Sequence, residues 1–251
     1  MAKKEELAKV DSQELARPSF INPSDKTGTE DIGRDDLRLP RLVIAQGLST
    51  QLIEGDSNYI PGLKMFDLFN DLTGEVYGKG PLKFIPVRRD VVRIEFDPND
   101  RTKVLDRNVL ANDARLSWDG DNPPAATKFT EFVALMISDE EGRKPEPIII
   151  SIKETNKWMR RAAERLTGFV KFQDGPIYAG YKTVASKSEK NDSGTFGVFV
   201  FANAGFIQNE SLYNYCAAFA ASLEGKTINT TREAGDDSFE FGANTQKESE
   251  M

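Results

Sequence analysis

The sequence predicts an α+β fold with a mostly antiparallel sheet of five or six strands. Segments that alternate apolar and polar residues come in neighbouring pairs joined by short polar turns, which is typical of hairpins. Only two stretches, 155–168 and 210–225, show helical spacing of apolar residues. Each of them follows a hairpin instead of alternating with single strands, and this order disfavours a βαβ arrangement.

The first elements follow a polar stretch. Residues 1–30 are charged and lack sustained periodicity, so they predict a disordered N-terminal arm ahead of a folded domain at 31–225. Residues 39–45 read as a strand that ends before Gly47. The segment 61–80 predicts short strands or a helical turn, packed by a set of apolar residues. These residues are Met65, Phe66, Leu68 and Phe69.

The longest extended segment is 81–96, where β-branched and aromatic residues alternate with polar ones. Pro86 lies inside it and implies an edge or a bulge, because proline cannot donate to a neighbouring strand. Residues 97–128 are rich in turns and charge and predict a long excursion from the sheet. Two hairpins follow, one joining 129–138 to 147–153 and the other joining 177–188 to 195–206.

The helix between these hairpins is unusually basic. Thr155 is the predicted N-cap and Gly168 the predicted end. Five apolar residues recur at intervals of three and four and should face the core: Trp158, Met159, Ala162, Ala163 and Leu166. The last helix, 210–225, closes with Gly225. Strands wrapped around one central helix, with a second helix at the C-terminus, predict an OB-like barrel.

Composition excludes several kinds of chemistry. The chain has 251 residues, a formal net charge of −7, no histidine and a single cysteine, Cys216. An internal disulfide and histidine-based nucleophile systems are therefore excluded, and the commonest zinc ligand is missing. No apolar run approaches the roughly 20 residues of a membrane span. We expect a cytoplasmic protein with no cofactor, no metal and no membrane partner, and we leave self-association open.

Charge is unevenly distributed. Residues 151–190 contain nine Lys and Arg against four acids, whereas 191–251 contain three against nine. Lys157, Arg161 and Arg165 lie four residues apart, so they share one helical stripe. Aromatic residues interleave with lysines in the strands that follow, and this combination is typical of single-stranded nucleic-acid binding. The candidate DNA-binding residues are Arg88, Arg89, Arg93, Lys153, Lys157, Arg160, Arg161, Arg165, Lys171, Tyr178, Tyr181, Lys182 and Phe199.

Simpler interpretations of the same residues stay open. The basic stripe can be a solvated helix face balanced by Glu154 and Glu164. The aromatic rings can belong to the core, and the three strand arginines can protect an exposed sheet edge from aggregation.

Three segments resemble a family of tailed-phage early proteins: RLPRLVIAQGLSTQ, PGLKMFDLFNDLTGEVYGKGPLKFIPV and PIIISIKETNKWMRRAAERL. Some members are described as single-stranded DNA-binding proteins of the OB fold with an acidic C-terminal tail. The resemblance covers about residues 30–215. Several members carry cysteines in the excursion that corresponds to ARLSWDGDNPPAATK, and this sequence has none there, so a metal site is not expected.

The resemblance implies a replication or recombination protein that coats and protects single strands and engages other proteins through its tail. Residues 226–251 would form that acidic, disordered tail. Its partner-binding residues would be Asp236, Asp237, Phe239, Glu240 and Phe241. An acidic tail can also compete with DNA for a cationic surface.

Two other classes of function compete with DNA binding. A carboxylate-metal nuclease or phosphotransferase would use Asp90, Glu95, Asp97 and Asp100, but no glycine-rich phosphate loop accompanies them. We therefore expect no enzymatic activity. The second class is a virion structural or protein-binding module, such as an inhibitor that mimics DNA.

Overall fold

The computed structural model describes residues 39–100, 103–120, 122–138, 143–191 and 194–225. The predicted N-terminal arm and the predicted acidic tail, with Asp236, Asp237, Phe239, Glu240 and Phe241, lie outside these ranges. The described part contains nine strands and two α-helices. No helix in it is long and apolar enough to cross a membrane.

In chain order the strands are β1 (Leu42–Ile44), β2 (Leu68–Asn70), β3 (Val76–Gly78), β4 (Leu82–Phe96), β5 (Val104–Asp106), β6 (Ala126–Ile137), β7 (Glu146–Lys153), β8 (Gly180–Asn191) and β9 (Gly194–Phe206). Helix α1 spans Lys157–Lys171 and helix α2 spans Glu210–Ser222.

The strands form two sheets. The small sheet has the order β1-β2-β3, and the large sheet has the order β7-β6-β4-β8-β9, with β5 added to β4. Every pairing between these strands is antiparallel. The predicted α+β class and antiparallel sheet are therefore confirmed. The pairings do not close the two sheets into one barrel, so the OB-like barrel is not established by the strand order.

Strand β4 is the central strand of the large sheet. It pairs with β6 over most of its length, but with β8 only at Leu82, Lys83 and Phe84. The register against β6 shifts between Pro86 and Arg88, which confirms the predicted bulge. Both predicted hairpins are also present, as β6–β7 and β8–β9. Strands β6, β7 and β9 are slightly longer than the sequence pattern indicated, whereas β8 begins later than predicted.

The large sheet is covered on both faces. On the first face, Phe84, Phe132 and Phe201 pack in one core with α1 and the small sheet, and we call this the α1 face. On the other, Ile85, Val133 and Leu135 pack with α2, and we call this the α2 face. Because neighbouring residues of a strand point to opposite faces, adjacent side chains in β4, β6, β8 and β9 serve different surfaces.

Helix α1 differs from the prediction at both ends. Asn156, not Thr155, is the N-cap, and its side chain accepts hydrogen bonds from the backbone N of Trp158 (3.1 Å) and Met159 (2.9 Å). The helix also continues through Gly168 to Lys171. It does so because Phe169 and Val170 pack against the core of the α1 face, which outweighs the low helix propensity of one glycine. The predicted core residues Ala162, Ala163 and Leu166 are buried.

The segment between β1 and β3 buries three of the four apolar residues expected there. Phe66, Leu68 and Phe69 are buried, but Met65 is 48% exposed, so its predicted core position is wrong. The reason lies at Phe66, whose φ of 72° turns the chain. Its ring enters the core, and its backbone N donates a hydrogen bond to the carbonyl of Ala45 at 2.7 Å.

The excursion after β4 is closed by an ionic cluster around Arg115. One guanidinium nitrogen, Nη1, contacts Glu95 (2.5 Å) and Asp106 (3.0 Å), and Nη2 contacts Asp113 (2.7 Å). These bonds tie the 3-10 turn at Ala114–Leu116 to β4 and β5. Hydrogen bonds from the Arg115 side chain, followed by one from its backbone N, lower the pKa of Asp113 to about 2.

Candidate nucleic-acid interface

The outer surface of α1 is a row of exposed cations, which we call the basic ridge. It consists of Lys157, Arg160, Arg161, Arg165 and Lys171. None of the five forms an ion pair with a carboxylate of the described residues. Of the two acids that the simpler interpretation set against this helix, Glu154 instead contacts Lys128 (3.0 Å) and Thr130 (2.6 Å), and Glu164 is exposed on α1. The ridge therefore keeps its positive charge on the surface.

An open groove of about 560 Å³ runs beside the C-terminal half of α1, between that helix and the adjoining ends of β8 and β9. Arg165 connects the groove to the basic ridge, since it belongs to both. The lining residues are Arg165, Gly168, Phe169, Phe172, Gln173, Asp174, Lys182, Asn203, Gly205 and Phe206. The groove thus combines cations, amides and aromatic rings.

Lys182 is the one predicted cation that the structure buries. Its residue is 2% exposed, and its Nζ donates to Gln173 Oε1 at 2.8 Å. Its ammonium has no carboxylate partner among the described residues. Burial lowers its pKa, because removing an ammonium from water disfavours the charged form.

The aromatic rings accessible at the groove are Phe172 and Phe206, which are 81% and 49% exposed. Phe169 lies deeper, with the guanidinium carbon of Arg165 5.6 Å from its ring centroid. Lys171 Nζ lies 5.6 Å from the ring centroid of Phe172. Exposed rings next to cations suit the stacking of unpaired bases.

Phe199 does not belong to this surface, and its prediction as a DNA-binding ring is wrong. It is 6% exposed and stacks on Phe201, with ring centroids 5.8 Å apart. Both rings pack beneath α1 in the core of the α1 face. The alternation of β9 places them there, as the core interpretation of these aromatics proposed.

Tyr178 and Tyr181 lie on the opposite side of the sheet from the groove. Both pack against the core of the α2 face, where the ring centroid of Tyr178 is 5.4 Å from that of Tyr213. Desolvation raises the pKa of both tyrosines. Tyr181 is adjacent to Lys182 in β8, so the two side chains point to opposite faces although they are neighbours in the sequence.

The predicted strand cations are also divided between the two faces. Arg88 pairs in register with Val133 on the α2 face, where it bonds Asp90 and the carbonyl of Leu223 (2.9 Å). Lys153 pairs with Phe129, and its Nζ lies 5.9 Å from that ring centroid. Phe129 is four residues from Val133 in β6 and so shares its face.

Arg89 and Arg93 lie on the α1 face. Arg89 pairs in register with Phe132, and its Nε donates to Thr167 Oγ1 of α1 at 3.2 Å. Arg93 pairs in register with Lys128 farther along β4. Of the 13 predicted DNA-binding residues, eight cations lie on the side of α1: Arg89, Arg93, Lys157, Arg160, Arg161, Arg165, Lys171 and Lys182.

The carboxylates considered for metal-dependent chemistry do not form one site. Asp90 pairs with Arg88, Glu95 with Arg115, and Asp97 with Lys103 at 3.8 Å. The described ranges contain no group of three or more acidic or cysteine residues that could hold a metal ion. That the chain is not an enzyme stays a prediction.

Eight of the ten lining residues were absent from the predicted site, among them Phe172, Gln173, Asn203 and Phe206. One signal in the sequence pointed to Phe172, a large ring in the polar stretch KFQDG directly after Lys171. Asn203 reaches the groove because it is the register partner of Lys182, and that pairing is a tertiary fact.

A family model described as Pam3 phage gp34-like protein matches residues 9–229. No curated protein and no solved structure matches the chain.

Proposed function

The chain belongs to the Pam3 phage gp34-like protein family, and from this premise and the geometry of α1 we propose that it is a single-stranded DNA-binding protein of phage replication or recombination. It coats and protects single strands with little sequence preference. Membership in a phage family agrees with the resemblance seen in the sequence, whereas DNA binding is our proposal.

The observation that carries the proposal is the basic ridge beside a groove with exposed rings. Five cations without described carboxylate partners attract the phosphates of a nucleic-acid backbone and release its counterions. Phe172 and Phe206 offer ring faces on which bases stack without sequence preference. A duplex hides its base faces by stacking, so this combination favours single strands.

The proposed fold is an OB-like arrangement of the two sheets around α1. It is supported by one shared core, in which Leu42 and Leu68 of the small sheet pack with Leu166 of α1 and Phe84 of the large sheet. The DNA surface does not depend on barrel closure, because the ridge and the groove are built from α1, the turn that follows it, β8 and β9.

The acidic tail completes the proposal. Asp236, Asp237, Phe239, Glu240 and Phe241 would recruit replication proteins, and the tail would compete with DNA for the ridge. Deletion of residues 226–251 should then tighten DNA binding and abolish capture of the partner. Weaker binding by the truncated chain would contradict the competition.

Binding is tested with labelled oligo(dT) at two salt concentrations. Trp118→Phe leaves Trp158 as the only tryptophan, at the start of α1, so its fluorescence reports binding at the helix. We expect saturable binding whose log K falls linearly with log salt. Equal affinity for duplex DNA of the same length would contradict the preference for single strands.

The ridge itself is tested with Arg161→Glu and Arg165→Glu combined. The expected loss is at least about tenfold, because each reversal removes one phosphate contact and adds a repulsion. A matched control reverses two exposed lysines outside the ridge, Lys64→Glu and Lys144→Glu, and changes the net charge by the same amount. Equal losses in both variants would show that net charge acts and the ridge does not.

The alternative is a virion structural or protein-binding module. One observation favours it: the segment 48–72 exposes several large apolar side chains, namely Leu48, Ile53, Tyr59, Met65 and Leu72. Exposed apolar residues suit a protein interface. Absence of oligo(dT) binding at low salt would favour this module over the DNA-binding protein.

A further inference from the structure

Lys182 is buried without a carboxylate partner among the described residues, which is unusual for a structural lysine. Its ammonium lies in the groove with one described hydrogen-bond partner, the neutral Gln173, although an ammonium has three donors. Buried charges are normally paired, because leaving water without a counter-ion is unfavourable. The groove is open to solvent on the side of Phe172 and Phe206, so an anion can approach this charge.

Gln173 holds the ammonium in place. Its Nε2 donates to the carbonyls of Pro176 (2.5 Å) and Ile177 (3.1 Å), which directs its Oε1 toward Lys182. The turn after α1 therefore positions Gln173, and Gln173 positions Lys182. The two backbone carbonyls orient the Gln173 amide, and the amide in turn fixes the ammonium. The cation is therefore pre-organised before any ligand binds.

The space that this ammonium occupies is kept free by a glycine. A Cβ at Gly180 would lie 3.3 Å from Lys182 Nζ and 3.0 Å from the carbonyl of Gly205. Arg165 lines the same groove and adds a second cation, and Asn203 adds an amide opposite Lys182 in the β8–β9 ladder. The one acidic residue in the lining is Asp174, which is exposed.

We propose that Lys182 and Arg165 together bind one phosphodiester group, while the two bases that flank it stack on Phe172 and Phe206. This inference rests on the proposed function and deepens it. The groove is then a dinucleotide subsite with a pre-organised position for one phosphate. The basic ridge, by contrast, would bind any polyanion. Lys182 contributes to affinity only where a charged linkage occupies the groove.

The test compares two probes that differ only in the charge of the linkage. They are the dinucleotide d(TpT) and its neutral methylphosphonate analogue, titrated into the full-length protein and followed by NMR chemical shifts. We expect d(TpT) to bind at least about fivefold more tightly, because only its linkage carries the charge that Lys182 and Arg165 bind. Equal affinity of the wild-type protein for both probes would overturn the subsite without any variant.

The variant Lys182→Met tests whether the preference for d(TpT) depends on Lys182. It removes the charge but keeps an unbranched apolar side chain, so the preference for d(TpT) should fall to what Arg165 alone provides, while the thermal midpoint stays equal or rises. Lys190→Met is the matched control, since Lys190 is exposed, lies in the same strand outside the groove lining, and carries the same charge. Unchanged preference in Lys182→Met would overturn the proposal, and a lower midpoint beside it would show that Lys182 is structural.

The two proposals fail differently. Binding of oligo(dT) that depends on the ridge, together with equal affinity for the two dinucleotides, removes the subsite and keeps the DNA-binding function. Selective binding of d(TpT), together with oligo(dT) binding that is no tighter and does not depend on the ridge, removes the DNA-coating function and keeps the phosphodiester position. Absence of both removes both.

Discussion

The side-chain amide of Gln46 forms two hydrogen bonds with the backbone of Gly197, which is 151 residues away in the chain. Its Nε2 donates to the carbonyl of Gly197 at 3.0 Å, and its Oε1 accepts from the backbone N at 2.7 Å. All three groups are buried. Gln46 thus acts like a short piece of strand at the outer edge of β9, and it fixes the small sheet to the large one.

Gly197→Ala should destabilise the protein by about 1–3 kcal/mol, the usual cost of overpacking a core. A Cβ at this position would lie 2.6 Å from Ile44 Cγ2 and 3.0 Å from Gln46 Nε2. Urea denaturation measures the loss. Gly168→Ala is the control with the opposite sign, because it lies in α1 with no atom within 4 Å of its Cβ and should stabilise by about 0.5–1 kcal/mol. An unchanged stability of Gly197→Ala would contradict the close contact.

Phe172→Ala should weaken DNA binding, whereas Phe199→Ala should lower stability. Phe172 is exposed, so its truncation should leave the free energy of unfolding nearly unchanged and weaken oligo(dT) binding by about 1–3 kcal/mol. Phe199 is buried, so its truncation should cost about 3–5 kcal/mol of stability. Trp118→Ala, an exposed ring outside the groove lining, is the control for binding. Equal binding losses at Phe172 and Trp118 would remove the groove from the DNA surface.

Arg115→Met should raise the pKa of Asp113 from about 2 toward its ordinary value, because the side-chain hydrogen bonds from Arg115 are the largest cause of the shift. The sign follows from linkage: a carboxyl with a folded pKa below its unfolded pKa stabilises the fold above about pH 4, and this contribution is lost as pH falls toward 2. NMR titration of the Asp113 carboxyl carbon measures the change. Asp113 titrating near 2 in the variant would show that its backbone bonds suffice.

Cys216 should resist alkylation at pH 8 in the folded protein. The residue lies on the buried side of α2, against the sheet, and burial raises the pKa of its thiol to about 11, so almost no thiolate is present. The rate of labelling by iodoacetamide should rise with urea in parallel with the unfolding of α2. Rapid labelling without denaturant would show that α2 detaches from the sheet in the native state.

Much of the architecture was predictable from local pattern. The alternation in 81–96 predicted β4, and Pro86 predicted its bulge. The two hairpins and both helices were predicted near their observed positions, since apolar periodicity and turn residues act within a few neighbouring residues. The basic ridge was predictable for the same reason, because a spacing of four residues in a helix places side chains on one stripe.

The sequence by itself determined the class of the fold, the charge on α1 and the absence of histidine chemistry. Only the tertiary structure decided which rings meet those charges. Tyr181 and Lys182 are neighbours in the chain and lie on opposite faces of the sheet, whereas Phe172, Phe206 and Lys182 are distant in the chain and line one groove. The physical reason is that strand register and the side on which a helix packs are set by long-range burial, which no local pattern records.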